Sequence, residues 1–118
     1  MQTNRKDAYY LAYFKINQDK DFYVELYKGL NYDYRLFENP VEAIAAVKAH
    51  LKLAIDTFKT SKGVEYVKEA MEEIYNDPLT WEVEDTDQDE DIFYISENLG
   101  NYDIEYFIRR VSFLDKKH

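Results

Sequence analysis

Apolar side chains recur every three or four positions through residues 39–76 of this chain, and on either side of that block the repeat falls to two. The change of period confines the fold to helices inserted between groups of strands, because the two backbones present different residues to one face. Asn39 is placed to cap a helix, and Pro40 suits its first position, where a missing N–H costs nothing. Glu42 stands where a capping box needs an acid, and Phe37 is near enough to pack on the first turn. Ile44, Val47, Leu51, Ile55 and Phe58 line one side, while Lys48, Lys52 and Lys59 fall largely outside that stripe. Thr60, Ser61, Lys62 and Gly63 interrupt it, with Gly63 as a C-cap or hinge. Val64, Val67, Met71 and Ile74 mark a second helix, ended by Asn76, Asp77 and Pro78.

Period-two segments flank the helices. Residues 9–16 read as a strand with Tyr10, Ala12, Phe14 and Ile16 on one face, followed by a turn at residues 17–20. Phe22, Val24 and Leu26 alternate against Tyr23, Glu25 and Tyr27. After a turn at residues 29–33, Tyr32, Tyr34 and Leu36 suggest a third, short strand. Beyond the helices, Leu79, Trp81 and Val83 alternate against Thr80, Glu82 and Glu84. Residues 92–96 and 104–114 form further strands, joined by a turn through Gly100 and Asn101. The order βββααβββ predicts an α+β fold: an antiparallel sheet of about five to six strands with two helices packed on one face. Residues 1–118 fit a single domain that buries roughly 65% of its unfolded surface. Residues 1–7 are expected to be a flexible N-terminus and residues 115–118 a frayed C-terminus.

The chain carries 24 acidic and 15 basic residues, a net charge of -9, and the distribution is uneven. Residues 64–105 hold fifteen acids and one base, Lys68, leaving nine acids and fourteen bases elsewhere. One segment therefore contributes -14 and the remainder +5. This balance argues against direct nucleic-acid binding, which needs basic charge against the phosphates. Arg5, Lys6, Arg109, Arg110, Lys116 and Lys117 offer only a small basic patch near the ends. The absence of cysteine excludes disulfides, thiol nucleophiles and zinc–thiolate sites. The polar start and the lack of a long apolar run predict a cytoplasmic protein without a membrane span.

Little in the sequence suggests catalysis or a cofactor. His50 lies mid-helix and reads as a surface or boundary residue; His118 is the final residue, and neither has a cluster of ligands around it. The glycines stand alone at 29, 63 and 100, so no phosphate-cradling loop is formed. Glu82 and Glu84 share a face on the expected strand, with Glu105 opposite, but a solvated surface explains them as well as paired acid chemistry does. Asp85, Asp87, Asp89 and Asp91 match the early positions of a calcium loop. Glu90 then replaces the turn glycine and Ser96 the closing bidentate acid, so no EF-hand is expected. The chain reads as a non-enzyme with no metal and no cofactor.

The remaining reading is that the charge itself recognises a basic protein partner. Glu69, Glu72, Glu73 and Asp77 on and after the second helix, Glu82 and Glu84, and the turn acids Asp85, Asp87, Asp89, Glu90 and Asp91 form one extended negative surface. Glu65 adds to it, and Tyr75 and Trp81, with Tyr66 and Tyr94, supply aromatic anchors. Such a surface can reproduce the phosphate spacing of DNA and occupy the basic groove of a nucleic-acid-handling protein. In size, acidity and lack of cofactor motifs the chain resembles phage and plasmid anti-CRISPR and anti-restriction DNA mimics, which implies an inhibitor. Two alternatives share these features: an immunity protein or antitoxin that neutralises a basic nuclease toxin, and an acidic domain with no nucleic-acid-related partner.

Overall fold

The alternation in the first strand and its counterpart near the C-terminus builds the centre of the sheet. A computed structural model describes residues 8–18, 32–59, 62–100 and 102–112. In chain order the elements are β1 (Ala8–Gln18), β2 (Tyr32–Phe37), α1 (Pro40–Phe58), α2 (Glu65–Asn76), β3 (Asp91–Leu99) and β4 (Tyr102–Ser112). A short 3₁₀ turn, Pro78–Trp81, follows α2. The expected strand on Phe22, Val24 and Leu26 lies outside the described residues, as do residues 1–7 and 115–118.

The described strands form one four-stranded sheet, rather than the five to six expected, in the order β2-β1-β4-β3 with every neighbouring pair antiparallel. Ala12 faces Ile108, Phe14 faces Tyr106 and Ile16 faces Ile104 across the central pair. All six are buried, so the central pair is apolar along its length on one face. Both helices pack on that face. From α1 come Ala43, Val47, Leu51, Ala54, Ile55 and Phe58, and from the second helical segment Val64, Val67 and Met71. The stripe expected on α1 is therefore present, widened by two alanines, with Ile44 at its margin. The Asn39 side chain accepts a hydrogen bond from the Glu42 amide at 2.9 Å, which caps α1 as its residues dictate.

Residues 79–83 depart from the expected strand. The Asp77 carboxylate accepts from the Leu79 amide at 3.0 Å, and Pro78 occupies the first position of the 3₁₀ turn. The chain turns at once, with the Thr80 amide bonded to the Asp77 carbonyl at 3.0 Å. The same two residues that end α2 start this turn, and that cap chemistry overrides the alternation. Beyond it, Ile92 is the extra residue of a bulge, since Asp91 opposes Arg109 while Phe93 opposes Ile108. Gly100, at φ 72°, takes the left-handed conformation needed where β3 returns into β4. No helix among the described residues is long and apolar enough to cross a membrane.

Candidate partner-binding surface

The acidic residues divide into two sets once the fold places them. The first set holds the connection between the 3₁₀ turn and β3 against the rest of the protein. Trp81 starts that connection: its indole N–H donates to the Tyr75 carbonyl at 3.0 Å, and its ring stacks on Phe93 with centroids 5.6 Å apart. Lys48 of α1 holds its ammonium 5.3 Å from the Tyr75 ring and 5.5 Å from the Trp81 ring. Four residues later, Asp85 accepts from the Tyr10 hydroxyl at 2.7 and 2.9 Å. Burial raises the pKa of that phenol, and the neighbouring Asp85 carboxylate raises it further.

Asp89 accepts from the Ser112 hydroxyl at 2.7 Å, the Ser112 amide at 2.9 Å and Arg110 at 3.0 Å. Asp91 meets Arg109 at 3.0 Å, and Glu90 accepts from the Thr86 hydroxyl at 3.0 Å. The two described arginines of the suggested basic patch are thus counter-ions to the turn. Asp89 is held below the usual carboxylate range, first by the Ser112 hydroxyl, then by the Ser112 amide and the two arginines, against an opposing effect of desolvation. A carboxyl whose folded pKa lies below its unfolded value of about 3.9 stabilises the fold above that value. The contribution is lost as pH falls through the folded value. Urea unfolding of the parent chain and of Asp89→Asn should therefore give stabilities that differ most near neutrality and converge as pH drops below about 4. A constant gap across that range would remove Asp89 from the acid-sensitive set.

The second set points outward. Glu65, Glu69 and Glu73 follow one another at four-residue spacing on the exposed side of α2, with Glu72 beside them bonded to Lys68 at 3.3 Å. Glu82, Glu84 and Asp87 continue the exposed acidic run along the connection. Among the described residues, none of Glu65, Glu69, Glu73, Glu82, Glu84 and Asp87 forms an ion pair. Asp77, also exposed, is engaged in its cap. Because residues 79–83 form no strand, Glu82 and Glu84 have no sheet face opposite Glu105, which instead lies between Lys15 and Ser96.

Two features had no local signature in the sequence. A groove of about 610 Å³ runs between β3 and the end of α2; Ile74, Leu79 and Val83 line one side and Ile92, Phe93 and Ile95 the other. Glu82 and Glu97 also line it, and Leu79 is 70% exposed. On the sheet face away from the helices, Tyr34, Tyr13, Phe107 and Tyr94 fall in one register row across the four described strands. Tyr13 lies 5.0 Å from Tyr34 and 4.9 Å from Phe107, ring centroid to centroid. The nearby cations Lys15 and Arg109 meet Glu105 at 3.7 Å and Asp91 at 3.0 Å. The row has the spacing of cross-strand aromatic packing.

His50 is half-buried, its Nδ1 2.9 Å from the buried Tyr106 hydroxyl and its ring edge-on to Phe14, as a boundary residue should be. Among the described residues no group of three or more His, Cys, Asp or Glu side chains is arranged to hold a metal ion. Comparison with protein-family models, curated proteins and solved structures returns no match.

Proposed function

We propose that this chain is a small acidic binding protein whose partner presents a basic surface, with nucleic-acid-handling proteins as the class that best supplies one. The observation that carries this reading is the spacing on α2. Glu65, Glu69 and Glu73 stand about 6 Å apart along the helix, with no opposite charge paired to any of them among the described residues. Like charges at this spacing oppose helix formation by about 0.2–0.5 kcal/mol per pair. No cation among the described residues pairs with these three carboxylates, and a basic partner surface would supply one.

Val67 and Met71 fix α2 to the core, so the carboxylates are presented without the ordering cost that a disordered acidic tail incurs. Lys15 and Arg109 on the open sheet face are already paired to carboxylates, which favours a protein partner over direct contact with phosphates.

The test is capture from a host lysate across a salt series, with the parent chain and a Glu65→Gln/Glu69→Gln/Glu73→Gln variant immobilised side by side. The expected result is retention of a basic nucleic-acid-handling protein at low salt. That retention should be lost at high salt, weakened about tenfold or more in the variant, and displaced by duplex DNA. Equal retention by both chains, or no salt-sensitive partner, would overturn the proposal.

A further inference from the structure

We infer that the groove beside β3 receives an extended segment of the partner, apolar side chains punctuated by lysine or arginine, which adds to the sheet as a strand. The inference rests on the reading of a basic partner and specifies how part of it is held. β3 pairs with β4 along one edge and with no other described strand along its second. An edge of this kind presents a row of backbone donors and acceptors, a ready template for another strand. Beyond the bulge at Ile92, Phe93–Leu99 runs regularly for about 23 Å with neither proline nor lysine, and Glu97 is its one charged residue.

The groove alongside explains what the added strand would touch. Leu79, 70% exposed on the 3₁₀ turn, leaves most of its apolar surface in water, and Ile74, Val83, Ile92 and Ile95 are only half-buried around the same groove. In an added strand every second residue faces that side, about 6.8 Å apart, so apolar residues there cover Leu79 and Val83. The charge of the occupant follows from the walls. Glu82 and Glu97 line the groove and, among the described residues, no lysine or arginine does, so cationic side chains gain and acidic ones are repelled. A second copy of the chain fits poorly by the same rule: edge-to-edge pairing would bring together two proteins of net charge -9.

The probe is a nine-residue synthetic peptide with blocked ends, valine and lysine in turn at every second position and threonine between them, titrated at low salt while amide hydrogen exchange is followed. Its controls are the same peptide N-methylated at alternate residues and a valine–glutamate version. The expected result is saturable binding that slows exchange at β3 amides. Both controls and a Leu79→Lys chain should bind at least tenfold more weakly, and Leu79→Lys should unfold at the parent temperature because its side chain is largely in water. Unchanged exchange at β3, or equal binding by the N-methylated peptide or by Leu79→Lys, would overturn the inference. A concentration-dependent dimer in sedimentation, abolished by Leu79→Lys, would do so too by assigning the groove to a second copy. If capture of a basic protein depends on Glu65, Glu69 and Glu73 while the peptide leaves β3 unprotected, only this inference fails. If the α2 variant keeps every partner, the wider reading fails, and the peptide result judges the groove separately.

Discussion

Phe14→Ala should lower the free energy of unfolding by about 3–5 kcal/mol, a large part of the stability of a domain this size. Phe14 is 0% exposed in the middle of β1, opposite Tyr106 of β4. Its ring meets His50 edge-on at 4.9 Å and Tyr106 at 6.2 Å, and the Arg35 guanidinium carbon lies 5.4 Å from its centre. A solvent-open pocket of about 180 Å³ lined by Phe14, Arg35, Ala46, Ala49, His50 and Leu53 already adjoins it, so truncation extends that opening toward the core. Water entering there would also reach the His50–Tyr106 hydrogen bond, which burial of the Tyr106 phenol now shields. Equilibrium urea unfolding measures the effect. A loss under about 1 kcal/mol would mean that the strands do not depend on this packing.

Val67→Asp should abolish cooperative unfolding at ordinary temperature or cost roughly 4 kcal/mol or more. Val67 is 0% exposed on the inner side of α2, in the same cluster as Val64 and Met71. A carboxylate there loses its water and gains no described partner, so it must either take up a proton or pull the helix from the core. The paired substitution is Glu69→Gln, two residues along on the exposed side, which should change stability by no more than about 0.5 kcal/mol. Circular dichroism through a thermal ramp separates the two. A strong loss from Glu69→Gln would show that the outward carboxylates serve the fold and would weaken the case that they serve a partner.

What could be read from the residues was what local chemistry decides. Asn39, Pro40 and Glu42 set the start of α1 because a cap depends only on its own turn, and the Glu42 amide bonds to Asn39 as that rule requires. Tyr10, Ala12, Phe14 and Ile16 are buried together because side chains two apart must share a face. The same reasoning failed at Leu79, Trp81 and Val83. There Asp77 and Pro78 bend the chain before any strand can form, and Trp81 is drawn over Phe93 instead.

The division of the acidic residues was illegible for a different reason. Asp89 and Arg110, like Asp91 and Arg109, become partners only through the register of β3 on β4, which no short window of sequence contains. The groove shares that origin. An edge strand is an edge by virtue of what the rest of the sheet does.

The central pair of strands imposes a schedule on the newborn chain. Ala8 lies opposite Ser112 and Gln18 opposite Tyr102, so the partner of β1 on that side emerges from the ribosome only after both helices and β3. At ordinary rates of translation the interval is roughly 4–17 s, long compared with the microseconds in which helices and hairpins form. Once Phe37 has emerged β1 can find β2 on one side, while its other edge still has no β4 to meet. The stage of greatest vulnerability for this protein is therefore set by the order of synthesis, and chaperone capture of stalled chains would concentrate on lengths that end before β4.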